Sequence, residues 1–149
     1  MYYLMIALLV IVDQWTKYSI RTGMALNQTI PVIQDVFHIT YIQNFGAAFS
    51  ILQNKQVLLI GVSGVAVAIM LFYLVRKKKE LHGLVKCALA FVIAGGLGNL
   101  IDRLSLSYVV DFFDFRVFPV FNVADIAVCL GCGLLMFYVL FLENKKSAK

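Results

Sequence analysis

The chain has 149 residues, of which 62% are apolar and 14% charged, with a mean hydropathy of +0.88 and a formal net charge of +5. A chain of this length cannot hide so much apolar surface in a core surrounded by water, which excludes an ordinary soluble domain and leaves a mainly α membrane protein. The cations cluster beside apolar runs, so the positive charge is a topology signal aided by attraction to anionic lipid heads, and it gives no ground for nucleic acid binding.

No linker, repeat or low-complexity tract divides the sequence, so residues 1–149 are expected to form one membrane-embedded domain. A helix needs about 20 mostly apolar residues to cross the hydrocarbon of a bilayer. Runs at about 2–21, 57–75, 84–101 and 123–142 qualify, which predicts four transmembrane helices.

The first run, "YYLMIALLVIV", has no basic segment before it and no Ala-x-Ala site after it, so it is expected to stay as a span and not to be cleaved as a signal peptide. It runs into Asp13-Gln14-Trp15-Thr16-Lys17. Asp13 and Lys17 are one helical turn apart, and a structural ion pair accounts for them. Ionisable groups in a membrane helix are nevertheless costly enough to raise a functional question.

The segment that follows, 23–56, reads as extended. Ile30-Pro31 resists a helix, and Phe37, Ile39 and Tyr41 alternate with His38 and Thr40 as in a strand with one buried face. A small β-rich element on the outer surface is therefore expected. In Asn44-Phe45-Gly46-Ala47-Ala48-Phe49, Gly46 can adopt positive φ and admit another backbone, and Asn44 offers a donor and an acceptor to an extended peptide; a plain turn explains the same residues.

The second run carries no charge. Arg76, Lys77, Lys78, Lys79 and Lys86 lie in or beside the loop after it, and Lys145, Lys146 and Lys149 follow the fourth run. Four spans put both groups on one face, so both termini are expected in the cytoplasm, with 23–56 and 104–121 outside. Glu80 and Glu143 fall on the inner side, whereas Asp13, Asp35, Asp102, Asp111, Asp114 and Asp125 fall towards the outer half. Any chemistry faces outward.

The third run contains Gly95-Gly96-Leu97-Gly98-Asn99, which lacks the preceding strand and the following Lys-Ser/Thr of a phosphate loop. Close helix packing through small residues is the better reading. Asn99, Asp102 and Arg103 crowd the outer end of that span. Beyond it, "YVVDFFDF" at 108–115 is either a short strand or an interfacial segment.

The fourth run opens on Phe121-Asn122-Val123-Ala124-Asp125, so Asp111 and Asp125 can meet at the membrane surface. Two carboxylates held close share one proton, which supplies an acid and a base at the same pH and can drive attack of water on an amide without a metal. Equally, Asp125 can serve only to cap the helix. Cys129-Leu130-Gly131-Cys132 lies mid-helix with no second pair, so Cys87, Cys129 and Cys132 are read as packing residues. His38 and His82 lie on opposite faces, and no metal or cofactor is expected. A small transporter or channel subunit is the rival reading, disfavoured because the acids gather at one face and no inverted repeat is visible.

"DQWTK" at 13–17, "NFGAAF" at 44–49, "GGLGNLIDR" at 95–103, "VVDFF" at 109–113 and "FNVAD" at 121–125 together resemble the successive motifs of the lipoprotein signal peptidases, or signal peptidase II. The resemblance runs in order over nearly the whole chain. It implies a bacterial inner-membrane aspartic endopeptidase that removes the signal peptide of a prolipoprotein, cutting just before a diacylglyceryl-modified cysteine. It further implies Asp111 and Asp125 as the catalytic pair. By the same motifs, Asn44, Gly46, Asn99, Arg103 and Asn122 hold substrate or orient the pair, and Asp13, Lys17 and Asp102 support it. An outer β-cradle, an outer-side helix, inhibition by globomycin-type cyclic peptides and action as a monomer are the remaining expectations. Asp114 is an extra acid three residues after Asp111, and only the resemblance chooses between them.

Overall fold

A computed structural model describes residues 1–46 and 55–143. Ala47, Ala48 and Phe49 of the second motif, and Lys145, Lys146 and Lys149 of the topology argument, lie outside the described residues. The elements in chain order are α1 (Tyr2–Gly23), β1 (Thr29–Ile33), β2 (Phe37–Asn44), α2 (Gln56–Arg76), α3 (Gly83–Leu106), β3 (Val109–Asp114) and α4 (Val123–Tyr138), with a π-helical turn, Val139–Glu143, continuing α4.

Three described helical stretches are long and apolar enough to cross a membrane: Gln56–Arg76, Gly83–Leu106 and Val123–Glu143. In its 22 residues α1 has the length, but its second half carries Asp13, Gln14, Lys17 and Arg21, and it falls outside that set. α3 is the centre of the bundle and packs against α1, α2 and α4. Its most apolar window is 44% buried, against 11% for those of α2 and α4, so those two turn most of their surface outward. Leu58, Val62, Val65, Ile69 and Phe72 on α2, with Leu130, Met136 and Phe137 on α4, are accordingly exposed, as lipid-facing side chains should be.

The glycines of α3 work as expected of small packing residues. A Cβ on Gly95 would run into the Ala124 carbonyl and Val128 of α4, and one on Gly131 of α4 would meet the Ala88 carbonyl at 2.7 Å. The two helices therefore approach backbone to backbone. A Cβ on Gly98 would strike the Asp13 carboxylate, so that glycine makes room for a polar group of α1.

At one end of the bundle a three-stranded antiparallel sheet, in the order β1-β2-β3, takes over directly from α3 through Ser107, whose φ of 67° ends the helix. The sheet is fastened by Tyr41, Val110 and Phe112, which pack against Ile20 and Met24 at the end of α1, Leu106 of α3 and Val123 of α4. The 108–115 segment is thus a strand. β1 is exposed along its length, and its Pro31 sits at the sheet edge, where a missing N–H costs little. One detail departs from the alternation argument: on β2, His38 and Thr40 are buried, while Phe37 and Ile39 are only half-buried. The polar side is covered because Thr40 hydrogen-bonds Thr29 and Asp114 on the flanking strands.

Candidate active site

The C-terminal ends of α1 and α3, the N-terminus of α4, and β2 with β3 converge where the sheet meets the bundle. The ten residues to which the resemblance gives roles belong to one hydrogen-bonded cluster here. Asn122, fully buried, is its hub. Its side-chain N–H donates to Asp111 Oδ1 at 2.7 Å and to Asn99 Oδ1 at 3.1 Å, and its backbone N–H donates to Asp125 Oδ2 at 3.2 Å. In return its side-chain oxygen accepts from the Asp125 N–H at 2.9 Å. Asp111 and Asp125 are thus held by the same residue.

The reciprocal Asn122–Asp125 contacts are a capping box, so the capping reading of Asp125 is correct as far as it goes. It does not consume the side chain. Asp125 Oδ1 also accepts from Asn99 Nδ2 at 2.8 Å, and Asp125 is half-buried where a capping residue on the outside of a helix would be exposed. Asp111 is 2% exposed, and its second oxygen accepts from Asn44 Nδ2 at 2.9 Å. Burial, reinforced by the Asp125 charge, pushes the Asp111 carboxyl up to about 7, against the opposing pull of hydrogen bonds from Asn44 and Asn122. A carboxyl poised there exchanges its proton at neutral pH.

Asn44 is itself pinned, because its oxygen accepts from the Gly46 N–H at 2.9 Å, and the Gly46 carbonyl accepts from Arg103 Nη2 at 3.0 Å. Gly46 is buried and engages the cluster through both of its backbone groups. Arg103 Nε is buried and has no hydrogen-bond partner among the described residues, and the guanidinium lies within electrostatic reach of Asp125, Asp111 and Asp102.

Behind the two aspartates is a second layer. Lys17, 2% exposed, donates to Asn99 Oδ1 at 2.9 Å and pairs with Asp13 at 3.0 Å and Asp102 at 3.1 Å. The ion pair expected between Asp13 and Lys17 is therefore present, but it is buried and shared with a second acid. Gln14, which motif spacing did not single out, bonds both Asp13 and Asp102. The available signal was an uncharged polar residue inside a polar run on an otherwise apolar helix.

Asp114 is elsewhere. Its oxygens accept from Thr40 Oγ1 at 2.7 Å, from the Arg116 N–H at 2.8 Å and from Arg116 Nη1 at 3.0 Å. Desolvation opposes its charge, but those donors outweigh it and hold the carboxyl below its usual value. The geometry, not only the motif, separates it from Asp111. His38 lies within β2 and His82 caps α3 at the far end of the bundle, while Cys129 and Cys132 are free and exposed on α4.

Removing the Asn44 amide withdraws a donor that favours the charged form of Asp111, so the Asp111 carboxyl should rise further. In Asn44→Ala the Asp111 carboxyl, followed by difference infrared spectroscopy, is expected to titrate at higher pH than in the unaltered protein. A titration that stays in place contradicts this link.

A buried and a half-buried aspartate sharing an asparagine at the lip of an apolar bundle define a membrane-embedded protein with an aspartic-peptidase-like site. Residues 5–141 match the family model described as Signal peptidase (SPase) II. The chain is 45% identical over 148 residues to the lipoprotein signal peptidase of Brevibacillus brevis, covering 98% of each chain. To that of Moorella thermoacetica it is 46% identical over 139 residues, covering 93% of this chain and 92% of the relative. Two solved structures, both described as bacterial membrane enzymes determined by the in meso method, superpose with TM-scores of 0.88 and 0.85 at 31% and 32% identity, over 99% and 95% of this chain and 91% and 93% of theirs. The chain belongs to the signal peptidase II family and is an aspartic-type membrane peptidase.

Proposed function

We propose that this enzyme removes the signal peptide from diacylglyceryl-modified prolipoproteins, with Asp111 and Asp125 activating the water that cuts the bond before the lipidated cysteine. What carries the reading is the double grip of Asn122 on the two carboxyls. One carboxylate takes a proton from water as its oxygen attacks the scissile carbonyl carbon. The other carboxyl gives its proton to the carbonyl oxygen. Collapse of the tetrahedral species breaks the C–N bond, a proton passes to the leaving nitrogen, and the products are the signal peptide's carboxylate and the amine of the lipidated cysteine. Neither a metal nor a covalent enzyme intermediate is needed. Arg103, which donates to the Gly46 carbonyl, and Asn44, which donates to Asp111, carry further N–H groups suited to hold substrate carbonyls, and Asn99 and Asn122 keep the pair oriented.

The site's position suits an anchored substrate. The cluster lies towards the sheet end of α3, at Asn99 to Arg103, and Arg76, Lys77, Lys78, Lys79 and Lys86 lie about its other end, whose first residue, Gly83, is roughly 24–30 Å away along the helix. By the positive-inside rule the basic end is cytoplasmic and the aspartates face outward, at the depth where an acyl-anchored cysteine presents its amide. α1 completes a fourth crossing with both termini inside: at 22 residues it is long enough, and its two buried charges face α3 and neutralise each other in part. The whole chain is read as one domain in the bacterial inner membrane, working as a monomer and blocked by globomycin-type cyclic peptides.

A matched pair of peptides spanning the cleavage site, with and without the diacylglyceryl group on cysteine, tests this. Cleavage of the lipidated peptide alone is expected, before the cysteine. Hydrolysis of neither by purified enzyme removes the proposed activity, and equal hydrolysis of both removes the lipid requirement.

A further inference from the structure

Asp13 and Asp102 touch neither Asp111 nor Asp125, yet their outer contacts follow one pattern. Asp102 Oδ2 accepts the backbone N–H of Val110 at 3.0 Å, and Asp13 Oδ1 accepts that of Ala124 at 2.8 Å. Val110 precedes Asp111, and Ala124 precedes Asp125. Each supporting carboxylate thus grips the backbone N–H of the residue immediately before one of the paired aspartates. The Ala124 N–H is one of those that a helix start leaves without a partner in the helix, so an acceptor there fixes the entry of α4.

The spacing of the pair therefore depends on how far apart Asp13 and Asp102 are held. Lys17 draws them together, but one ammonium between two buried carboxylates leaves a negative charge uncompensated. Gln14 offsets it. Its Nε2 lies 2.9 Å from Asp102 Oδ1, 3.2 Å from Asp13 Oδ2 and 3.1 Å from the Gly98 carbonyl, so a single amide ties both acids to the backbone of α3. Gly98 is the residue whose bare Cα admits the Asp13 carboxylate, which lets α1 come this close. An amide keeps its donors at every pH, as a cation or acid in its place need not.

Resting on the dyad reading above, we infer that Gln14 is a positioning residue that sets the separation of Asp111 and Asp125 through Asp102 and Asp13, touching neither.

Gln14→Met keeps length and flexibility while removing the donors. With cleavage of a diacylglyceryl peptide in detergent as the assay, kcat is expected to fall by roughly 10- to 100-fold, the scale of a sub-ångström to 1 Å misplacement, with KM within about twofold. The bell of kcat against pH should also narrow, because loosening two interacting carboxylates lessens the split between their titrations. An unchanged kcat and profile overturn the inference. So does a fall in rate that matches the fraction of folded enzyme with the profile unmoved, since that is all a structural role would give. If Gln14→Met does not accumulate, Gln14→Glu serves: its carboxyl donates only when protonated, so its rate relative to the unaltered enzyme should rise towards acid, and a flat ratio overturns the inference. Asp125→Asn in the same assay separates the layers. Full activity there sinks the dyad itself, whereas an inactive Asp125→Asn beside a normal Gln14→Met sinks only the role of Gln14.

Discussion

Asp125→Asn is expected to lower turnover of a lipidated precursor by about 10³-fold or more, the upper range of what a positioned acid–base group contributes. The fold should survive. Asp125 accepts two hydrogen bonds, from Asn99 Nδ2 and from the Asn122 N–H, and an asparagine there can accept one but must turn its own N–H₂ towards the other donor. Losing half of the capping box costs about 1 kcal/mol, too little to unfold or expel a helix of this apolarity. A second signature follows from charge. The Asp125 carboxylate is one of the causes that raise Asp111, so its neutralisation should bring the Asp111 carboxyl down from about 7. Substrate cleavage, thermal unfolding in detergent and titration of Asp111 by difference infrared spectroscopy check the three parts. A variant with full activity refutes the assignment outright.

The second large effect is on stability. Lys17→Met removes the cation shared by Asp13 and Asp102, both 2% exposed or less, together with the donor to Asn99. Breaking a buried ion pair from one side costs about 3–5 kcal/mol, because the abandoned charges stay out of water. Thermal unfolding should therefore fall by several degrees or more at neutral pH. Combining Lys17→Met with Asp13→Asn and Asp102→Asn is expected to restore part of the stability but little of the activity, since Asn99 and the two backbone grips are no longer held as before. A midpoint unchanged by Lys17→Met shows that the cluster carries no net charge worth balancing.

The two experiments bear on different layers of one construction. On the proposed mechanism Asp125 acts at the bond to be cut, whereas Lys17 acts on the frame that brings α1, α3 and β3 together. Between them stands Asn99, which donates to Asp125 and accepts from Lys17. Disturbance of the frame should therefore reach the site through that asparagine as well as through the backbone contacts of Val110 and Ala124.

Much of this was legible in one dimension. Uninterrupted apolar runs mark α2 and α4, because in hydrocarbon every backbone polar group must be satisfied within the segment and only a helix does so. Motifs in order carried the family and the names of the residues that cluster. Hydropathy gave the helix ends poorly: α3 continues to Leu106, past the run that stops at 101, because Asp102 and Arg103 find partners inside the protein and the helix has no need to end where the apolar residues do. α1 ends at Gly23, two residues past its run.

What the sequence alone determined, then, is a membrane bundle with acids at one end, since hydrophobicity and charge act locally and can be read residue by residue. Which acids meet was decided only by the tertiary structure. Asp111 and Asp114 are near-equivalents on one strand, yet one is held by Asn44 and Asn122 and the other by Thr40 and Arg116. The grip of Asp13 on Ala124 spans 111 positions, and the bond of Gln14 to Asp102 spans 88. Such contacts exist because a buried donor or acceptor must find a partner wherever packing places one, and that place is set by helices whose small residues let their backbones close to contact.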